Sequence, residues 1–316
     1  MSEIDPLPPP APVPRKSRVP IFFLGAFSGC LIVVVLAVFL GIIVAASQSG
    51  ESSGDVFSTQ KVAIIPIEGE IFEARDTVEA LHRYADNSTV KAIVMRINSP
   101  GGAIAPSQEI YEAVRNTRVR SGKPIVASLD SVAASGGFYI AAGCDRIVAN
   151  PGSITGSIGV ILEWMNTRDL IAWAKMKPEI ITSGAMKAAG NPYTDLTEAE
   201  RAYFQSIVLQ LHSQFVRAVA AGRRGKITEA EVAKLADGRV FTGEQALGLK
   251  LVDEIGNLDD AVRAAAKLAG IRGTPGTIYP RKKKPGLFDL LSDSSSDSET
   301  ALGRIFNRRP RFLYRW

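Results

Sequence analysis

The chain has 316 residues, of which 46% are hydrophobic and 22% charged, with a formal net charge of +5. That composition excludes a wholly disordered chain and leaves room for one or two domains. Two cysteines, Cys30 and Cys144, and two histidines, His82 and His212, exclude a disulfide framework and speak against a Cys/His zinc site. There is no H-E-x-x-H and no G-x-x-x-x-G-K-[ST], so zincin and P-loop readings fall away and no cofactor or metal is expected. The charge is local. Residues 281–316 hold nine Lys/Arg and four Asp/Glu, which accounts for the whole +5. The body is neutral, which argues against a nucleic-acid partner, because such binding needs a basic face.

Residues 1–20 are Pro-rich, carry Arg15, Lys16 and Arg18, and are expected to stay cytoplasmic. Residues 21–46 contain no charge, longer than the ~20 apolar residues that cross a bilayer. Signal-peptide cores run only ~7–15 residues, so the length favours a retained transmembrane helix over a cleaved leader ending at Val44-Ala45-Ala46. Gly25 and Gly29 form a helix-packing G-x-x-x-G, a spacing that also recurs by chance. Residues 47–60 read as a flexible linker that holds the body near the extracytoplasmic, periplasmic membrane surface.

The body is expected over 61–273. Apolar runs at 61–67, 91–97, 124–129, 145–149 and 179–182 predict strands. Helical patterns lie at 76–86, 104–119, 135–142, 166–176, 197–221, 228–236, 243–248 and 257–270. Such alternation predicts an α/β fold with a largely parallel sheet and flanking helices. Thr197 with Glu200, Thr228 with Glu231 and Thr242 with Gln245 are capping boxes at helix starts. Along 197–221 the apolar stripe of Tyr203, Phe204, Ile207, Val208, Leu211 and Phe215 predicts core or subunit contact. Residues 274–316 read as a polar and basic tail, solvated or resting its Phe and Trp residues on anionic headgroups.

Neither histidine sits in a catalytic pattern, and each reads as a surface or packing residue. Ser135, in Ala133-Ala134-Ser135-Gly136-Gly137, stands between a strand and a helix and departs from the nucleophile-elbow pattern G-x-S-x-G only by Ala133. The plainer reading is an N-cap serine. Asn98-Ser99-Pro100-Gly101-Gly102 follows a strand, where α/β sheets place their sites, and its N–H groups suit an oxyanion; a plain turn also fits. The loop Gly152–Gly159 is small and polar and suits a cleft wall. With no histidine available, a base must come from elsewhere. Lys187, among the small residues of 183–192, could serve if burial lowered its pKa by ~3 units; a solvated surface lysine is the plainer reading.

Five segments in this order resemble the signal peptide peptidase A family of membrane-anchored Ser-Lys proteases: NSPGG at 98–102, AASGGFYIA at 133–141, TGSIGV at 155–160, SGAMKAAGNP at 183–192 and GRVFTGEQALGLKLVDEIG at 238–256. The resemblance covers about 61–271 and implies the crotonase-like fold shared with the Clp proteolytic subunit. It implies Ser135 as nucleophile, Lys187 as general base, Ser157 as the residue that holds that lysine, and Gly102 as an oxyanion-hole donor. It also implies remnant signal peptides as substrates, contact with membrane lipid, and a homo-oligomeric ring whose sites draw on neighbouring subunits. The tail after 281 matches none of these segments, and its role stays open. Two other classes stay open: a crotonase-type acyl-CoA enzyme, against which an exported body argues, and a non-catalytic membrane scaffold, against which the presence of both Ser135 and Lys187 argues.

Overall fold

The computed structural model describes residues 60–280 and the backbone of residues 311–315. The expected N-terminal segment, transmembrane run and nearly all of the linker (1–59) lie outside the described residues, as does 281–310. Among the described residues no helix is long and apolar enough to cross a membrane.

In chain order the elements are β1 (Lys61–Glu68), α1 (Arg75–Asp86), β2 (Val90–Ser99), β3 (Gly101–Ala103), α2 (Ile104–Ser121), β4 (Ile125–Ala134), α3 (Gly136–Ala142), β5 (Arg146–Ala149), β6 (Ile154–Gly156) and β7 (Ile161–Glu163). There follow α4 (Arg168–Trp173), a 3₁₀ turn (Ala185–Ala188), α5 (Glu198–Gly222), α6 (Glu229–Leu235), β8 (Val240–Thr242), α7 (Gly243–Gly248), β9 (Glu254–Ile255), α8 (Leu258–Leu268), β10 (Gly276–Ile278) and β11 (Arg311–Arg315).

The sheet runs β10-β1-β2-β4-β5-β9 with every pair parallel. Its strands are apolar on both faces because both faces are covered. Val62, Ile64, Val94, Val126 and Val148 pack on Ala261, Val262 and Ala265 of α8. The alternate residues, among them Ile65, Ile93, Ile97, Ile125 and Ile147, face Ile110, Phe138, Phe215 and Val219 on the other side. This period-2 division is why the apolar runs are legible as strands.

β4 changes partner part-way. Its first half pairs with β5, while Val132–Ala134 pair with β6, which in turn pairs antiparallel with β8. β4 therefore overshoots the C-terminal edge of the sheet and carries the chain to Ser135. A second, three-stranded sheet, β3-β11-β7, is antiparallel throughout.

One predicted strand is absent. Residues 179–182 form no strand, and Ile180 and Ile181 are exposed. β-branched residues favour a strand only where another strand offers a ladder and a packed face, and this segment meets neither. In contrast, β10 and β11 form within 274–316, where the sequence predicts no strand.

Candidate active site

Ser135 joins β4 to α3 with φ 51° and ψ −116°. A positive φ in a residue with a Cβ costs on the order of 1–3 kcal/mol and persists only where surrounding structure dictates it. Here the Ser135 N–H donates to the Gly156 carbonyl (2.8 Å) and its carbonyl accepts from Tyr139 N–H (2.8 Å). α3 is held from behind by Phe138, fully buried, and by Tyr139, which lies 4.9 Å centroid to centroid from both Tyr111 and Phe215. Burial pushes the Tyr139 phenol up to about 12, with Tyr111 beside it adding to the effect. The ring is an anchor, not an acid or base near neutrality. Ser135 makes no side-chain cap bond, and its Oγ is buried with no hydrogen-bond partner among the described residues. The N-cap reading of this serine is therefore set aside. A buried hydroxyl without a partner costs about 1–3 kcal/mol, so the site holds both strain and an unpaired polar atom at one residue.

The NSPGG loop lies directly against this turn. A Cβ placed on Gly136 would come within 2.5 Å of Ser107 Oγ on α2 and within 3.3 Å of both Gly101 Cα and Gly102 N, so a side chain there would push on Ser107 and on the loop. The side chains of the motif's first two residues, to which the sequence assigned no role, fix the loop's shape. Ser99 Oγ, fully buried, accepts from Gly101 N–H (3.1 Å), and Asn98 Oδ1 accepts from Val132 N–H (3.3 Å), tying the loop to β4. On its other side Gly102 meets the backbone at Ile71, whose N–H donates to Gly101 O (2.9 Å) and whose carbonyl accepts from Ala103 N–H (2.7 Å). An added methyl at Gly102 would overlap the Ile71 peptide group. Gly102→Ala is expected to destabilise by about 1–3 kcal/mol, as over-packing does. A urea midpoint equal to that of the parent would show that the Ile71 segment yields freely.

The TGSIG and GRVF segments close the same cluster. Thr155 Oγ1 donates to Ala133 O (2.7 Å). Gly156, at φ 81°, leaves room for the Phe241 ring, which a Cβ would meet at 2.6 Å. Ser157, at φ 50° and buried, donates its N–H to Arg239 O (2.9 Å).

Four of the five sequence segments thus converge around Ser135, bringing Gly102 and Ser157 with them. The fifth does not. Lys187 sits on the 3₁₀ turn with its side chain exposed, and Ser135 Oγ, having no partner among the described residues, is not bonded to it. His82 is exposed, and His212 Nε2 bonds to the Ala236 carbonyl (2.7 Å), a packing role. A separate cleft of about 750 Å³, lined by Arg115, Arg118, Lys123 and Arg224, contains none of the motif residues. Among the described residues no group of His, Cys, Asp or Glu is placed to hold a metal ion.

Residues 117–272 match the family model described as Peptidase family S49, and residues 48–151 match that of Clp protease. A Synechocystis sp. protein named as a protease, slr0021, is 39% identical over 213 residues, covering 67% of this chain and 76% of its own. The chain belongs to peptidase family S49. Protease 4 of Haemophilus influenzae is 31% identical over 221 residues, 67% of this S49 chain and 35% of that protein. The chloroplastic serine protease SPPA of Arabidopsis thaliana is 29% identical over 229 residues, 72% and 32% of the two chains. The expected resemblance to signal peptide peptidase A and the Clp-like α/β fold both stand. The S49 chain is of a serine protease family, and its Ser135 combines a strained backbone with an Oγ that has no hydrogen-bond partner among the described residues.

Proposed function

We propose that this chain is a membrane-anchored serine endopeptidase that cleaves apolar peptides, remnant signal peptides among them, with Ser135 as nucleophile and Lys187 as base. The observation that carries the reading is the strained Ser135 turn, whose Oγ has no hydrogen-bond partner among the described residues and whose neighbour Gly136 abuts Gly102.

Neutral Lys187 Nζ takes the Ser135 Oγ proton as Oγ bonds to the scissile carbonyl carbon. The oxyanion is met by the Gly102 N–H and by a second donor that the sequence did not suggest, the Gly136 N–H, since the residue after the nucleophile points its amide into the elbow. Each such donor is worth about 3–4 kcal/mol in the transition state. The C–N bond breaks as the lysine ammonium protonates the leaving amine. The lysine then deprotonates the water that releases the acyl-enzyme. Ser157, on the same loop as the Gly156 carbonyl that holds Ser135, would orient the lysine.

Lys187 would arrive from a second copy of the chain. The region that bears it exposes Met165, Trp173, Met176, Ile181 and Met186, with Trp173 82% exposed. Apolar area of this kind calls for a covering surface. The outer half of α5, including Tyr203, is likewise exposed, which favours the subunit-contact reading of its stripe over core. The uncharged run at 21–46 supports anchoring, with the body on the extracytoplasmic side.

The test compares the full chain in detergent with Lys187→Ala on a fluorogenic apolar peptide, from mildly acidic to alkaline pH. Activity should rise with pH, because the base must be neutral, and should vanish in the variant. Mixed Lys187→Ala and Ser135→Ala chains should regain part of it. Equal activity in parent and Lys187→Ala would remove the lysine from the mechanism. Failure of an assembled parent to label with a fluorophosphonate would favour a scaffold.

A further inference from the structure

We propose that the edge of the sheet farthest from Ser135 is a docking face for an anionic bilayer surface, with lipid headgroups seated in the cleft between the C-terminal ends of α2, α3 and α5. This rests on the anchored reading of the chain given above. β1, β2, β4 and β5 run parallel, so all four begin at this edge and end at the other, where β4 delivers Ser135. The cleft is the one of about 750 Å³ that holds Arg115, Arg118, Lys123 and Arg224, with Glu112 and Asp145 as its acids. Both acids are already engaged, Glu112 with Arg115 at 3.3 Å and Asp145 with Arg118. Arg224 is exposed, and its side chain has no partner among the described residues. Lys123 Nζ donates to the carbonyls of Tyr84 (2.8 Å) and Asn87 (2.7 Å), which leaves its charge without an ion pair among the described residues. Burial, and the charge of Lys91 beside it, hold this ammonium below its ordinary value. The cleft therefore carries positive charge that the body does not neutralise.

A neutral body conceals an uneven distribution. Lys61 and Lys91 stand at the starts of β1 and β2, Arg120 and Lys267 in the last turns of α2 and α8, all at the cleft's edge. At the Ser135 edge, Glu68, Glu70 and Glu73 are exposed at the end of β1 and in the loop after it. Helix C-termini favour cations, which accounts for Arg118, Arg120 and Lys267. It does not account for the lysines at the strand starts. Nor does it account for Val119, 87% exposed, and Leu268, 50% exposed, which stand among the cations on the cleft wall. Basic groups around exposed aliphatic side chains match headgroup phosphates above acyl chains. A small anion or an acidic peptide would use the arginines and leave both aliphatic side chains bare.

Chain connectivity favours the same face. Residues 47–60 join the uncharged run to the start of β1 and, as a flexible chain, span about 20 Å on average. They enter the body at the basic edge, so that edge is the one tethered to the bilayer. Attraction between exposed charges fades over about 8 Å at physiological salt, and a short tether keeps the face within that reach for much of the time. The arrangement has a consequence for substrate. β4 runs ten residues from the basic edge to Ser135, at about 3.3 Å each, which sets the nucleophile about 30 Å from a docked face. A peptide must then have left the bilayer before Ser135 can meet its scissile bond.

The experiment uses the full chain and the double variant Arg120→Gln, Arg224→Gln, each in vesicles of phosphatidylcholine alone and of an equimolar phosphatidylcholine–phosphatidylglycerol mixture. Neither arginine belongs to the Ser135 cluster. Amide hydrogen exchange is followed over 116–124 and 222–227, with 68–73 as the window at the far edge. In the anionic vesicles the first two windows should exchange about three- to tenfold more slowly than in phosphatidylcholine, and the far window should not change. High salt should remove the slowing, and the double variant should lack it. Equal exchange in the two lipids, or slowing that persists in the double variant, would overturn the proposal. So would slowing reproduced by inorganic phosphate without vesicles, which would make the cleft a small-anion site. Slowing that follows protein concentration in either lipid would make the face a contact between copies and would equally remove the bilayer as its occupant. A carbonate wash of the phosphatidylcholine vesicles tests the anchor separately. A chain released by that wash would fail the anchored reading, and the difference between the two lipids would still decide the docking face.

Discussion

Replacing Ser135 by glycine is expected to abolish peptide cleavage and, at the same time, to stabilise the fold. The two effects share one cause. At φ 51° and ψ −116° a side chain is strained, whereas glycine occupies the mirror-image region freely. The change also removes a buried hydroxyl that has no partner among the described residues. Against these gains stands the greater entropy of glycine in the unfolded chain, about 0.5–1 kcal/mol. The net expectation is a gain of about 1–2 kcal/mol, read as a raised urea midpoint. Ser135→Ala keeps the strain and sheds only the hydroxyl, so its gain should be smaller. Both variants should lose about 10⁴- to 10⁶-fold in kcat, the scale set by removing a serine nucleophile. An N-cap serine would behave in the opposite sense, costing about 1 kcal/mol of stability on truncation. Opposite signs for activity and stability would therefore separate a strained nucleophile from a structural serine, and a variant that is both inactive and less stable would count against the nucleophile.

The sequence pattern is informative where a local rule carries the structure. β1, β2, β4 and β5 were legible because both sheet faces are buried, which writes long β-branched runs. The capping boxes at Thr197, Thr228 and Thr242 all form, because each needs only its own four residues. A fourth, Asn257 with Asp260, was missed because it uses the shorter amide and carboxylate in place of the Ser/Thr and Glu/Gln template. β3, β6, β7, β8 and β10, three residues each, fall below any detectable period and exist only through their partners. Residues 179–182 show the converse, a strand-like pattern with no edge to join. The same limit governs the site. Ser135 was visible from its small neighbours, but Asn98 and Ser99 act through hydrogen bonds to residues fixed by the turn and by the β4 register. The exposed position of Lys187 agrees with the plainer reading of its loop, a solvated lysine.

Asp253→Asn is expected to be the most damaging substitution outside the Ser135 cluster. Asp253 accepts both Arg223 guanidinium hydrogen bonds, Oδ2 from Nη1 at 2.7 Å and Oδ1 from Nη2 at 2.8 Å, along with Lys226 Nζ and the Ile147 N–H. Arg223 in turn donates Nε–H to Lys250 O (3.0 Å), and its side chain is only 1% exposed. These bonds join the end of α5 to β5 and to the turn before β9. Burial pushes the Asp253 carboxyl up, but the hydrogen bonds and charges of Arg223 and Lys226 outweigh it and hold the group at about 2. An amide would leave the guanidinium buried without a counter-charge, a loss of about 3–5 kcal/mol. For a body of this size that lowers the melting temperature by on the order of 10 °C. Because folding lowers this carboxyl's pKa, its stabilisation is fully present above the unfolded value near ~4 and is lost as pH falls toward 2. The acid limb of the parent's stability curve should therefore be steeper than that of the variant. Arg223→Met combined with Asp253→Leu should recover part of the loss, since two apolar groups leave no buried charge unpaired, while the Ile147 N–H still loses its acceptor. None of these residues touches Ser135, so activity per fluorophosphonate-labelled serine should be unchanged in Asp253→Asn below its melting range. A lower rate per labelled serine would instead show that the anchoring of α5 reaches the Ser135 turn through the Phe215–Tyr139 contact.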